Sequence, residues 1–98
     1  MKVISGSSNQ PLAKDLAEQL DIDQVHVELG RFPNGETKVK ILDKMQGEDV
    51  IVVQSFAQPV DRSIMEFLLI TDALERAGVK HVYAVIPWFG YSLQDKVF

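Results

Sequence analysis

Cysteine is absent from this 98-residue sequence, which excludes a disulfide framework and any thiolate metal site. No apolar run approaches the roughly 20 residues that span a bilayer, and the opening MKVISGSS is too poor in apolar residues for a secretory leader. A surplus of positive charge is missing too. Ten Lys and Arg residues are scattered among fourteen Asp and Glu, the formal net charge is -4, and no basic stripe exists to hold a phosphate backbone. Together these absences point to a cytoplasmic protein without nucleic acid or membrane partners. Neither GxGxxG nor GxxxxGK[ST] occurs, and no Ser-His-Asp ordering raises any serine above background. His26 and His81 lack the paired spacing of a metal site, so structural roles are expected for both.

What is present is ordinary globular composition, 46% hydrophobic and 24% charged, at a length that fits one small domain with a modest core. Lys2 to Ser5 leans to strand, GSSN supplies a turn with cap candidates Ser8 and Asn9, and Pro11 opens a helix carrying Leu12, Leu16 and Leu20 every fourth residue. Gln24 to Leu29 and Thr37 to Leu42 alternate polar and apolar, as strands with one wet face, and suggest a hairpin projecting from the main sheet. Asp49 to Gln54 contains four consecutive Val and Ile residues, the pattern of a central strand buried on both faces. From Val60 or Asp61 to Ala77 runs a helix that should be mostly buried, with Met65 and the leucines around it in the core and Gly78 as its stop. Lys80 to Pro87 is a last strand.

Alternating strands and helices predict a parallel sheet covered on its faces, with ligands gathering beyond the carboxyl ends of the strands. Three loops lie there: Gly6 to Asn9, Ser55 to Pro59, and Trp88 to Lys96. The first reads as turn and cap chemistry. RFPNGET, Arg31 to Thr37, is more specific: Asn34-Gly35 is a turn signal because both residues tolerate positive φ. Phe32 before that turn has no core of its own to reach, and an aromatic so placed packs on a partner or a planar ligand, with Asn34 or Glu36 able to read a purine edge. In PWFGYSLQDK, Gln94 and Lys96 offer donors to phosphates, while Asp95 can orient the lysine or contact a metal-bound water.

Read together, SGSSNQPLAKDLAEQL, RFPNGET, GEDVIVVQS, IMEFLLITDALERAG and AVIPWFGYSLQDK resemble the amino-terminal half of ribose-phosphate diphosphokinase (PRPP synthetase) over the whole chain. The resemblance implies an α/β domain of phosphoribosyltransferase type, a three-layer parallel sheet with a projecting hairpin or flag. It implies transfer of the β,γ-diphosphoryl group of Mg-ATP to the anomeric hydroxyl of ribose 5-phosphate, giving PRPP and AMP with Mg2+ as cofactor. The ATP-binding residues it implies are Phe32, Asn34, Gly35 and Glu36, on a tip that grips adenine bound mainly by a neighbouring subunit, and Gln94, Asp95 and Lys96. A homo-oligomer, dimer or larger, follows from that sharing.

This sequence departs from the family's pattern at two places. Leu93 stands where the family carries the arginine that contacts ATP phosphates, and a lost charge-assisted contact of that kind costs about 1.5 to 3 kcal/mol. Lys44 and Gln46 fall where regulated members carry serine and arginine, which puts phosphate or ADP control in doubt. Residues 1–98 are expected to be an incomplete amino-terminal domain, truncated at the carboxyl end, holding no catalytic residue and no metal ligand and inactive alone. The second domain, through which ribose 5-phosphate is bound, is absent from them. The alternative is a non-catalytic regulatory homologue that keeps the oligomer surface and has lost phosphate binding.

Overall fold

The structure, a computed structural model, describes residues 1–88. Its main sheet has four parallel strands, β1 (Lys2–Ser5), β2 (Asp23–Gln24), β5 (Asp49–Val53) and β6 (His81–Val85), in the order β2-β1-β5-β6. A separate antiparallel hairpin joins β3 (Val27–Arg31) to β4 (Thr37–Ile41). Helices α1 (Gln10–Leu20) and α2 (Val60–Arg76) complete the described elements. Because successive side chains of a strand point to opposite faces, the strands feed two cores. Val3 and Val53 meet Ala13 and Ala17 of α1 on one side, while Ile4, Val50 and Val52 meet Ile70 and Leu74 of α2 on the other.

The hairpin belongs to the second core. Val27 pairs with Ile41 and Leu29 with Val39, and these four half-buried side chains pack against Met45, Ile70 and Leu74. The result is three layers, with α1 beneath the sheet and α2 plus the hairpin above it, as the alternation of elements predicts.

Two expectations require correction. Gln24 to Leu29 is not one strand but parts of two. Pairing with β1 lasts until Val25, whose N–H donates to the Val3 carbonyl at 2.8 Å. At His26 the chain leaves the sheet: its N–H turns to the Asp43 carboxylate at 2.8 Å, and its carbonyl takes the Leu42 N–H at 2.9 Å. That exchange closes the hairpin's base.

Helix α2 is also less buried than its apolar block implies. Met65 and Leu68 are about half exposed, and the buried stripe is Ser63, Glu66, Ile70 and Leu74. These recur every three to four residues, one helical face, and the upper half of that face is polar because it meets polar groups at the strand ends. Gly78, at φ +81°, ends the helix as expected. Beyond it, Val82 and Tyr83 of β6, outermost of the described strands on its side, are exposed.

Candidate functional site

At the carboxyl ends of β1 and β5 the core turns polar. Gln54 follows β5 with no exposed surface, and its amide Nε2 donates to the Ser63 carbonyl and to Glu66 Oε1, each at 3.1 Å. Its Oε1 accepts the Ser8 N–H at 3.1 Å. Glu66, 4% exposed, also receives the Ser7 N–H and, at 3.1 Å, the Ser7 hydroxyl. Ser8 Oγ lies 2.6 Å from Gln54 Oε1 and 2.7 Å from the Ser55 carbonyl, and it accepts the Ser55 N–H at 2.9 Å.

Asn9 precedes α1 in the N-cap position but makes no side-chain cap bond. Its Nδ2 donates instead to Ser55 Oγ at 3.2 Å. The cap candidates Ser8 and Asn9 thus fasten the first loop to the second. A buried carboxylate and carboxamide are tolerated here because their polar atoms are satisfied. Sequence reasoning missed this cluster, although two signals pointed to it: Gln54 ends an apolar strand, and Glu66 is the one charge inside IMEFLLI.

The hairpin tip carries the predicted adenine-side residues. The Gly35 N–H donates to the Phe32 carbonyl at 2.9 Å, and the Phe32 N–H to the Glu36 carbonyl at 2.8 Å. Positive φ falls on Gly35 alone, +90°, and not on Asn34. Pro33 and Asn34 therefore occupy the middle of a type I turn followed by a left-handed glycine, a three-residue loop rather than the two-residue turn that Asn-Gly favours. Asn34 Oδ1 accepts the Glu36 N–H at 3.1 Å, which leaves its amide group as the free donor. Arg31 reaches back to the Gly35 carbonyl. Phe32 is 48% exposed and belongs to neither core cluster.

The hairpin's flanks are tied by charge. Lys38 Nζ lies 2.8 Å from Glu28 Oε1, and this hydrogen bond, with the lysine's charge, holds the Glu28 carboxyl below its usual range. Asp43 is likewise lowered, chiefly by the bond from the His26 backbone N–H. His26 and His81 each pair through Nδ1 with an aspartate, Asp43 and Asp49.

Phe32, Asn34, Gly35 and Glu36 are thus gathered on one tip, about which the structure is explicit. Gln94, Asp95, Lys96 and Leu93 lie outside the described residues. Among the described residues no three His, Asp or Glu converge to hold a metal ion, and no helix is long and apolar enough to cross a membrane.

Known proteins resemble this chain in sequence and fold. A family model described as the N-terminal domain of ribose phosphate pyrophosphokinase matches residues 1–98. A ribose-phosphate pyrophosphokinase from Caulobacter vibrioides is 45% identical over 96 residues, 98% of this chain and 31% of that protein. One from Fusobacterium nucleatum is 42% identical over 98% of this chain and 30% of its own length. The chain thus spans about a third of the relatives it matches. The solved phosphoribosylpyrophosphate synthetase of Mycobacterium smegmatis superposes with a TM-score of 0.90 at 33% identity, covering 97% of this chain and 32% of that one. A purine phosphoribosyltransferase from Pyrococcus horikoshii, at TM-score 0.61 and 13% identity over 91% of this chain and 63% of its own, shares the fold. By sequence along its whole length and by fold, this chain belongs to the family of N-terminal domains of ribose phosphate pyrophosphokinases.

Proposed function

We propose that this chain supplies ATP-binding and subunit-contact surfaces to a diphosphoryl transfer from Mg-ATP to ribose 5-phosphate. In that reaction the anomeric hydroxyl attacks the β-phosphorus, the bond to the α-phosphate breaks, and AMP leaves. Catalysis of this kind rests on positioning and charge neutralisation. Magnesium enters with the nucleotide as Mg-ATP. Ribose 5-phosphate and the groups that activate it belong to regions of the relatives beyond the third that this chain matches, so residues 1–98 act as an incomplete amino-terminal domain.

The observation that carries the reading is Phe32. A half-exposed phenylalanine on a turn held by its own hydrogen bonds contributes nothing to its own core. In this reading it stacks on a planar ligand, with the Asn34 amide as donor and the Glu36 carboxylate as acceptor on the same tip. In this reading the ligand is the adenine of ATP held by a second copy, which makes a homo-oligomer part of the proposal. The assembly works in the cytoplasm, where ATP is available.

The test is a titration of the purified chain with Mg-ATP, followed by amide shifts at the tip and by sedimentation. Tip shifts that vanish in Phe32→Ala support the reading; ATP binding that ignores the substitution sinks it. AMP release by the 98-residue chain would overturn its proposed inactivity alone.

Leu93, in the position where the resemblance implies a phosphate-contacting arginine, favours a second reading as a regulatory homologue. Leu93→Arg separates the two. An intact nucleotide site tightens by roughly tenfold or more, the worth of a charge-assisted hydrogen bond, whereas a degenerate one gains little.

A further inference from the structure

The pairing pattern of the hairpin carries Arg31 and Thr37 on the same face as Leu29 and Val39, one step nearer the tip. There the face runs past the hydrophobic core and meets the first loop and the start of α2. Ser7, Leu29, Arg31, Thr37, Arg62 and Glu66 line a hollow of about 190 Å³ at that junction. A water molecule's share of liquid volume is about 30 Å³, so the hollow holds one tetrahedral oxyanion with a few waters.

We propose that this hollow binds a phosphate-class oxyanion, at a site distinct from the hairpin tip. Two arginines from different elements, Arg31 and Arg62, line it, and among the described residues neither is paired with a carboxylate. Arg31 spends one donor on the Gly35 carbonyl, and no described hydrogen bond uses Arg62. Each guanidinium has five N–H donors in a fork that matches an oxyanion's geometry.

Glu66, the acidic group on the wall, is already engaged by the Ser7 N–H, the Ser7 hydroxyl and Gln54 Nε2. Its charge is spread over three donors, and the two arginines outnumber it. Thr37, also in the lining, carries a neutral hydroxyl donor. A polar hollow with two guanidiniums free of carboxylate partners, and one carboxylate already engaged at both oxygens, suits an anion of phosphate shape better than a cation.

The experiment is an amide-shift titration of the labelled 98-residue chain with sodium phosphate and with sodium sulfate, against sodium chloride at equal ionic strength. Saturable shifts at Ser7, Arg31 and Thr37 with the oxyanions but not chloride are expected. Arg62→Gln and Arg31→Gln should each weaken binding about tenfold, with unchanged melting temperature since both residues are exposed. Equal response to chloride, or binding undiminished in the double variant, shows an adventitious ion only and overturns the site.

Phe32→Ala separates this site from the nucleotide reading. Phosphate binding that survives the substitution while ATP binding is lost supports both. Phosphate binding without any ATP response supports the hollow and sinks the nucleotide reading. Competitive displacement of phosphate by ATP makes the hollow part of the nucleotide site and overturns its separateness.

Discussion

A β-carbon on Gly6 would stand 2.1 Å from Gln54 Oε1, far inside any tolerated contact. Gln54 cannot swing away, since it is fully buried and bonded to Ser8, Ser63 and Glu66. The glycine between β1 and α1 is thus fixed by a side chain 48 positions later, not by its own backbone angles. Gly6→Ala should destabilise the chain by about 1 to 3 kcal/mol, the usual cost of overpacking. In a double-mutant cycle by urea denaturation, Gln54→Ala should absorb much of that cost, because the two substitutions act on one contact. Strictly additive effects would refute the link.

Glu66 holds the same cluster from the helix side. Glu66→Ala strands the Ser7 N–H and removes a partner of Gln54, for a loss of about 2 to 3 kcal/mol. Glu66→Gln keeps one acceptor oxygen and should cost clearly less. Equilibrium unfolding of the two variants measures the difference; equal stability would show that the carboxylate is not engaged.

Acid should loosen the hairpin first. The Asp43 carboxyl lies below its ordinary 3.8 because of the bond from the His26 N–H, and Glu28 lies below 4.5 because of Lys38. A depressed carboxyl contributes stability that is present above its unfolded value and lost as pH falls through the folded one. Denaturation midpoints should therefore fall below about pH 4, and Asp43→Asn should flatten that limb. Both groups are at the surface, so salt should weaken the effect as well.

Phenylalanine at position 32 and isoleucine at position 70 should behave oppositely. Ile70 is fully buried between the sheet and the hairpin, so Ile70→Ala should cost about 2 to 5 kcal/mol. Phe32→Ala, at an exposed tip, should change stability by less than about 0.5 kcal/mol. A large loss at Phe32 would mean that the ring serves the fold after all.

Three of the four parallel strands, β1, β5 and β6, both helices and the hairpin were legible because each rests on local pattern: the valine run of β5, the alternation of β3 and β4, and Gly78 after α2. Where β2 gives way to β3 was not legible. His26 leaves the sheet because Asp43, 17 residues later, takes its N–H, and no window of sequence contains both partners. Met65 misled for a related reason. Helical period places it about 100° from Glu66, and only the polar strand ends reveal that the face with Glu66 is the inward one. The exposure of Phe32 was legible by chemistry, as an aromatic with no core to join. The strand-end cluster was missed because it joins three separated segments.

The hairpin's two ends answer to different demands. Its lower rungs, from Val27 and Ile41 to Leu29 and Val39, are roofing for the core and cannot be exchanged without exposing Ile70 and Leu74. Residues 32–36 are held by the turn's own hydrogen bonds and by Arg31 on the Gly35 carbonyl, and the Phe32 ring joins neither core cluster. They form an interchangeable cassette on a fixed mount: a new tip sequence that keeps the left-handed glycine could alter what the protein grips without altering how it folds.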